Sequence, residues 1–108
     1  MSFGKRTSMS EYIQEQIILI LSNHDNVGTA LRECKTGDQI DQQDMSIRVK
    51  QKIRFAHKVA IKDITAGDSI IKYGEEIGIA NQDIESGEWV HVHNCDSNRG
   101  RGDLEAET

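Results

Sequence analysis

One pattern recurs three times in this chain and narrows what it can fold into. Arg32-Glu33-Cys34-Lys35-Thr36-Gly37-Asp38, Lys62-Asp63-Ile64-Thr65-Ala66-Gly67-Asp68 and Gln82-Asp83-Ile84-Glu85-Ser86-Gly87-Glu88 share one order of residue types. An acid precedes an apolar residue, two residues follow, and then come glycine and a second acid. Glycine at a fixed place in such a segment supplies a positive φ without steric cost, so each copy suits a tight turn. Each copy is followed by a short apolar or alternating run: Gln39-Ile40, Ser69-Ile70-Ile71 and Trp89-Val90-His91-Val92-His93. The chain has no proline, so its nine glycines carry the turn punctuation. The spacings between copies differ, which argues for recurring turn chemistry in a β domain rather than a solenoid. The expectation is a mostly β domain of short, sharply turned strands.

The remaining segments fit that expectation. Gln16 to Leu21 reads as a buried strand, and Asn23-His24-Asp25-Asn26 as a turn. Val27 to Cys34 is open between a strand and one or two helical turns. Ser46-Ile47-Arg48-Val49-Lys50 alternates with period two, Lys58-Val59-Ala60-Ile61 is a short strand, and Glu76-Ile77-Gly78-Ile79-Ala80 is another. Gly78 there allows a bulge or a close approach. A short helix is allowed at Ser10-Glu11-Tyr12-Ile13, with Ser10 as its N-cap. Residues 1–16 read as a flexible leader, 17–95 as the folded domain, and 96–108 as a polar tail containing Arg99 and Arg101.

At 108 residues the chain is one domain by length, with room for a modest core. A net charge of −5 argues against general nucleic-acid binding, which needs a basic face for phosphates. The longest apolar run, Ile17 to Leu21, is far below the roughly 20 residues of a spanning helix. No membrane contact is expected. Cys34 and Cys95 read as free thiols, and the compartment as cytoplasmic.

The residues able to carry chemistry lie between Ile53 and Asn94, where three of the four histidines sit. On a strand, His91-Val92-His93 would present both imidazoles on one face. There they could ligate a divalent metal, or one could ligate while the other moves a proton; a half-exposed polar strand end is the plainer alternative. His57 could act as a general acid or base, and Lys58 as a point charge for a carboxylate. The plainer alternative is a turn histidine and a solvated lysine. Lys72-Tyr73-Gly74 sets a cation and a phenol at a turn. Trp89 reads as a core or interface anchor.

At Phe55-Ala56-His57-Lys58-Val59-Ala60, Ile71-Lys72-Tyr73-Gly74, Ile77-Gly78 and His91-Val92-His93-Asn94 the sequence resembles a known family. It is similar to the small subunit, or N-terminal domain, of altronate dehydratases (altronate hydrolases). Galactarate dehydratases and sulfolactate sulfo-lyases share that domain. The likeness runs from about Ile17 to Asp103. It implies an SAF-type β-clip fold of short strands in long hairpins. It also implies a share in the β-elimination of water from an aldonate, with a large catalytic lyase subunit as partner, a sugar acid as substrate, and room for a homo-oligomer. A divalent metal, Fe2+ or Mn2+, is implied as cofactor, held mainly by the large subunit. By matching position, His57, His91 and His93 become the expected proton-transfer residues, with His91 and His93 also the expected metal contacts. Lys58, Lys72, Tyr73 and Asn94 become the expected substrate contacts. Asn98-Arg99-Gly100-Arg101-Gly102-Asp103 resembles the joint to the large domain of fused members, which implies a separate large subunit here. A sulfolactate sulfo-lyase small subunit, or a non-catalytic binding or assembly module, are the alternatives. The family often has proline and glycine where this chain has Arg54 and Ala56. A glycine placed there for positive φ would leave Ala56 strained.

Overall fold

The computed structural model describes residues 16–43 and 45–97. The expected leader helix at Ser10 and the arginines Arg99 and Arg101 lie outside them. Among the described residues nine strands follow in order: β1 (Ile18–Leu19), β2 (Val27–Ala30), β3 (Gln39–Gln42), β4 (Met45–Arg48), β5 (Lys58–Ala60), β6 (Ser69–Lys72), β7 (Glu75–Ala80), β8 (Trp89–Val90) and β9 (Cys95–Ser97). There is no helix among the described residues. The strands form three antiparallel sheets, ordered β1-β2-β5-β8, β3-β4 and β6-β7-β9. The mostly β expectation holds, and the open segment after Val27 resolves as strand β2.

The recurring pattern is a turn motif, as expected. The N–H groups of Asp38, Asp68 and Glu88 donate to the carbonyls of Lys35, Thr65 and Glu85 at 3.0, 2.9 and 3.1 Å. Gly37, Gly67 and Gly87 stand at φ of 94, 96 and 93°. A positive φ at the third residue of such a hydrogen-bonded turn is the type II geometry, and glycine adopts it most easily. The acid that closes each copy folds back on the turn: Asp38, Asp68 and Glu88 carboxylates accept from the N–H groups of Lys35, Thr65 and Glu85 at 2.8, 3.3 and 3.2 Å.

The structure reveals a fourth copy that the sequence pattern concealed. His57 N–H donates to Arg54 O at 3.0 Å, and Ala56 holds φ of 73°. This copy, Ile53-Arg54-Phe55-Ala56-His57, lacks both the glycine and the closing acid. The apolar residues that open the copies pair in bridges, Cys34 with Ile53 and Ile64 with Ile84. The chain is thus internally duplicated, with Ala30–Val59 matched by Ala60–Val90. Each half fills its own core cluster at equivalent places: Ala30 and Ala60, Cys34 and Ile64, Ile40 and Ile70, Val49 and Ala80, Ile53 and Ile84, Val59 and Val90. Each fully buried isoleucine or valine contributes about 1.5–3 kcal/mol. Cys34 and Cys95 belong to different clusters and are free, as expected.

Ala56 gives the first testable consequence. An L-residue in the left-handed region is strained by about 1–2 kcal/mol, and glycine's extra chain entropy returns about 0.5–1. Ala56→Gly is therefore expected to raise stability by roughly 0.5–1 kcal/mol in urea melts.

Three expectations need correction. The strand read over Gln16 to Leu21 is only Ile18–Leu19, because Gln42 takes up the neighbouring backbone: its Oε1 accepts from Ile17 and Ile18 N–H at 2.9 and 3.0 Å. The strand read from Trp89 to His93 stops at Val90. The ordered sheet continues past residue 95, since β9 pairs with β7 through Gly78↔Ser97, Ile79↔Asp96 and Ala80↔Cys95. That approach needs Gly78, where a Cβ would fall on the Asp96 carbonyl oxygen.

Candidate functional site

His91, His93 and His57 do converge, but not by lying on one strand. Asn94 ends β8 early. Its carboxamide oxygen accepts from His91 N–H at 2.9 Å, its amide donates to Trp89 O at 2.9 Å, and its own N–H donates to His91 O at 3.0 Å. These bonds draw His91 to Asn94 into a turn around the Trp89 indole. The indole stacks on the His91 ring at 4.8 Å and 12° between planes. It meets the His93 ring at 5.2 Å and the His57 ring at 5.7 Å. The His57 and His91 rings stack at 5.9 Å. Asn94, expected at the substrate, is 2% exposed and shapes this turn instead, because its polar atoms are taken up by backbone.

His91 borders two cavities. One, of about 590 Å³, is lined by Lys58, Lys72, Glu75, Glu76, His91 and Cys95 among others. The other, of about 430 Å³, is lined by Gln51, Lys52, Arg54, His57, Trp89 and His91. His57 and Lys58 thus face different cavities, as adjacent residues entering a strand should. Lys72 ends β6 and holds its ammonium 4.9 Å from the centre of the Tyr73 ring. Tyr73 sits at φ of 56° and its hydroxyl is 2.7 Å from Thr29 Oγ1. It is thereby tied to β2, in which Thr29 pairs directly with Lys58 of β5.

Two lysines, Lys58 and Lys72, face two carboxylates, Glu75 and Glu76, in the first cavity. Burial, and then the Lys72 charge, push the Lys58 ammonium below the usual lysine range. Two ammonium groups that lower one another in this way gain from a carboxylate placed between them. Burial, and then the charges of Lys58, His57 and His93, lower His91 from the ordinary imidazole value of 6.5. A lowered value keeps the imidazole neutral at neutral pH, the form that accepts a proton. The expected result is an NMR titration of His91 below 6.5 that moves partway up in Lys58→Met, since a positive neighbour is gone. Burial pushes the Cys95 thiol up, against the pull of Lys58.

The described residues contain no group of three or more His, Cys, Asp or Glu side chains placed to hold a metal ion. His91 and His93 both pack on the Trp89 ring. Sequence reasoning missed Arg54, Lys52 and Gln51 as cavity residues and Thr29 as the partner of Tyr73. The only signal for Arg54 was its place one turn before His57. No helix among the described residues is long and apolar enough to cross a membrane.

Comparison with known proteins places this geometry in context. The family described as altronate/galactarate dehydratase SAF domain matches residues 16–98. An altronate dehydratase of Bacillus subtilis (strain 168) is 45% identical over 78 residues, which take in 72% of this chain and 16% of that protein. An altronate dehydratase of Escherichia coli (strain K12) is 38% identical over 74 residues, 68% of this chain and 15% of that protein. The (2R)-sulfolactate sulfo-lyase subunit alpha of Paracoccus pantotrophus is 46% identical over 59 residues, 55% of this chain and 88% of that subunit. The matched part of the chain therefore spans only 15–16% of these dehydratases but most of the sulfo-lyase subunit.

Proposed function

The chain belongs to the altronate/galactarate dehydratase SAF-domain family, and on that premise we propose that it is the small component of a sugar-acid hydro-lyase. In this reading it supplies one wall of a site that a large subunit completes. The observation that carries the reading is the convergence of Lys58, Lys72 and His91 on one cavity, beside the imidazoles packed on Trp89. Lys58 and Lys72 hold the carboxylate of an aldonate such as altronate. A bound carboxylate is fixed in orientation, which brings the α-carbon and β-hydroxyl to defined positions over His91.

The elimination needs a base for the α-proton and an acid for the departing hydroxyl. The C–H electron pair becomes the new C=C bond, the C–O bond breaks, and the hydroxyl leaves with a proton as water. His91, held neutral, is the proton acceptor on this wall. His57, which stacks on His91 and borders the second cavity, adds a second imidazole to this wall. The divalent metal expected from the family resemblance is assigned to the large subunit, in keeping with the donor set described above, and no step here depends on it.

A second reading has its own support. The match takes in 88% and 78% of two sulfolactate sulfo-lyase alpha subunits, so this chain also fits a small subunit that helps expel sulfite. The test is a product assay on the chain mixed with a candidate large lyase subunit and a divalent metal, with altronate and sulfolactate in separate arms. Loss of water from altronate in the mixture supports the first reading. Release of sulfite alone supports the second. Turnover of neither sinks both and leaves a binding module as the better account.

A further inference from the structure

The loop Asn23-His24-Asp25-Asn26 is more than a turn. Asp25 is 1% exposed, and its carboxylate is filled by backbone donors. Oδ1 accepts from Gly74 N–H at 2.8 Å, and Oδ2 accepts from Leu21 and Ser22 N–H at 3.2 Å each. Burial pushes its carboxyl up, but the N–H groups of Gly74, Leu21, Tyr73 and Ser22 outweigh that and hold it below the ordinary 3.8. Asn26 grips the same hairpin one strand position earlier. Its Oδ1 accepts from Ile71 N–H at 2.7 Å, its Nδ2 donates to Ser69 O at 2.8 Å, and its N–H donates to Ile71 O at 3.0 Å. The contacts bracket Lys72 on both sides.

The hairpin closes in a two-residue turn of the type I′ class. Its register shifts between Ile70 and Ile71, and its tip carries two positive φ values, 56° at Tyr73 and 80° at Gly74. The Lys72 charge repels Lys58 across the cavity, and an unrestrained tip would relax away from it. The other half of the duplication shows the contrast. Gln42 occupies the position matching Lys72, five residues after the turn glycine, and it fastens its own tip by binding the Ile17 and Ile18 backbone. Replacing that glutamine by lysine in the second half frees the side chain for the cavity and leaves the tip to be fastened from outside.

We infer that Asp25 and Asn26 are positioning residues that, through Gly74 and Ile71, hold the Lys72 ammonium on the cavity it shares with Lys58, where the two lysines can take a carboxylate. The substrate side of this inference rests on the acid-lyase reading above; the clamp itself does not.

The test uses the full chain with Asn26→Ala. Asn26→Asp, which keeps the acceptor for Ile71 and loses the donor to Ser69, is the second variant if the first does not melt cooperatively. A short amine-to-amine cross-linker is applied, and the Lys58–Lys72 linked peptide is quantified by mass spectrometry. Wild type is expected to give that peptide, and the variant to lose most of it while still melting cooperatively. With a large subunit and altronate, the variant is expected to raise KM about tenfold with kcat kept, and Lys72→Met is expected to do the same. An unchanged cross-link yield overturns the clamp, whatever the substrate. A reduced yield with an unchanged KM overturns the positioning role. If wild type turns over no acid at all, the lyase reading fails and the cross-link yield alone decides the clamp.

Discussion

Gly87→Ala is expected to cost about 3 kcal/mol or more of stability, while Gly67→Ala costs about 1–2 kcal/mol. The two glycines occupy equivalent turns with nearly the same φ, 93 and 96°. The left-handed penalty is therefore common to both. What differs is the neighbour. A Cβ at Gly67 meets nothing within 4 Å, whereas one at Gly87 falls on the carbonyl oxygen of Arg48. That oxygen is backbone and cannot swing aside as a side chain would. Gly87 is also held from both sides, donating to Ala60 O at 2.7 Å and accepting from Lys50 N–H at 2.9 Å. The clash must then be relieved by moving one half of the duplication against the other. Urea melts of the two variants check this directly. Equal losses would show that the Arg48 approach is not a constraint of the fold.

His91→Ala is expected to give the largest loss of activity, about 10²–10⁴ in kcat in the assembled enzyme. Three placements single it out from the other imidazoles. It borders both cavities, it stacks on both Trp89 and His57, and slight desolvation and the charges of Lys58, His57 and His93 lower it and favour its neutral form. Its side chain is exposed, so the melt should barely move. His93→Ala removes a ring that meets only the tilted side of Trp89 in the contacts seen here, and a smaller loss is expected. Steady-state kinetics beside a thermal melt separate the two effects. A fall in stability as large as the fall in rate would make His91 a structural residue.

The turn motif, the β class and the crowding of histidines between Ile53 and Asn94 were legible from residue order alone. They are written in local signals: a glycine at a fixed offset, alternation, and imidazoles near one another in sequence. What escaped was set by long-range partners. The fourth turn copy was hidden because Ala56 and His57 replace the glycine and acid that marked the others. In those copies the closing carboxylate is spent on its own turn, so the change to histidine releases an imidazole for the cavity. The failure of the strand at His91 came from Asn94, whose carboxamide bonds only become visible once the turn is closed. Asp25 and Asn26 signalled a turn correctly, but their reach to Gly74 and Ile71, residues 49 and 45 positions away, has no sequence signature.

In the proposed function, this chain completes an acid-binding lyase site which a large subunit cannot form alone. The most direct measurement is the rate of altronate dehydration by a fixed amount of large subunit as this chain is added. The account predicts negligible rate from either component alone and a saturable rise on mixing. The plateau should persist in Lys58→Met,Lys72→Met only at much higher altronate. A rate from the large subunit that is indifferent to added chain would contradict the account.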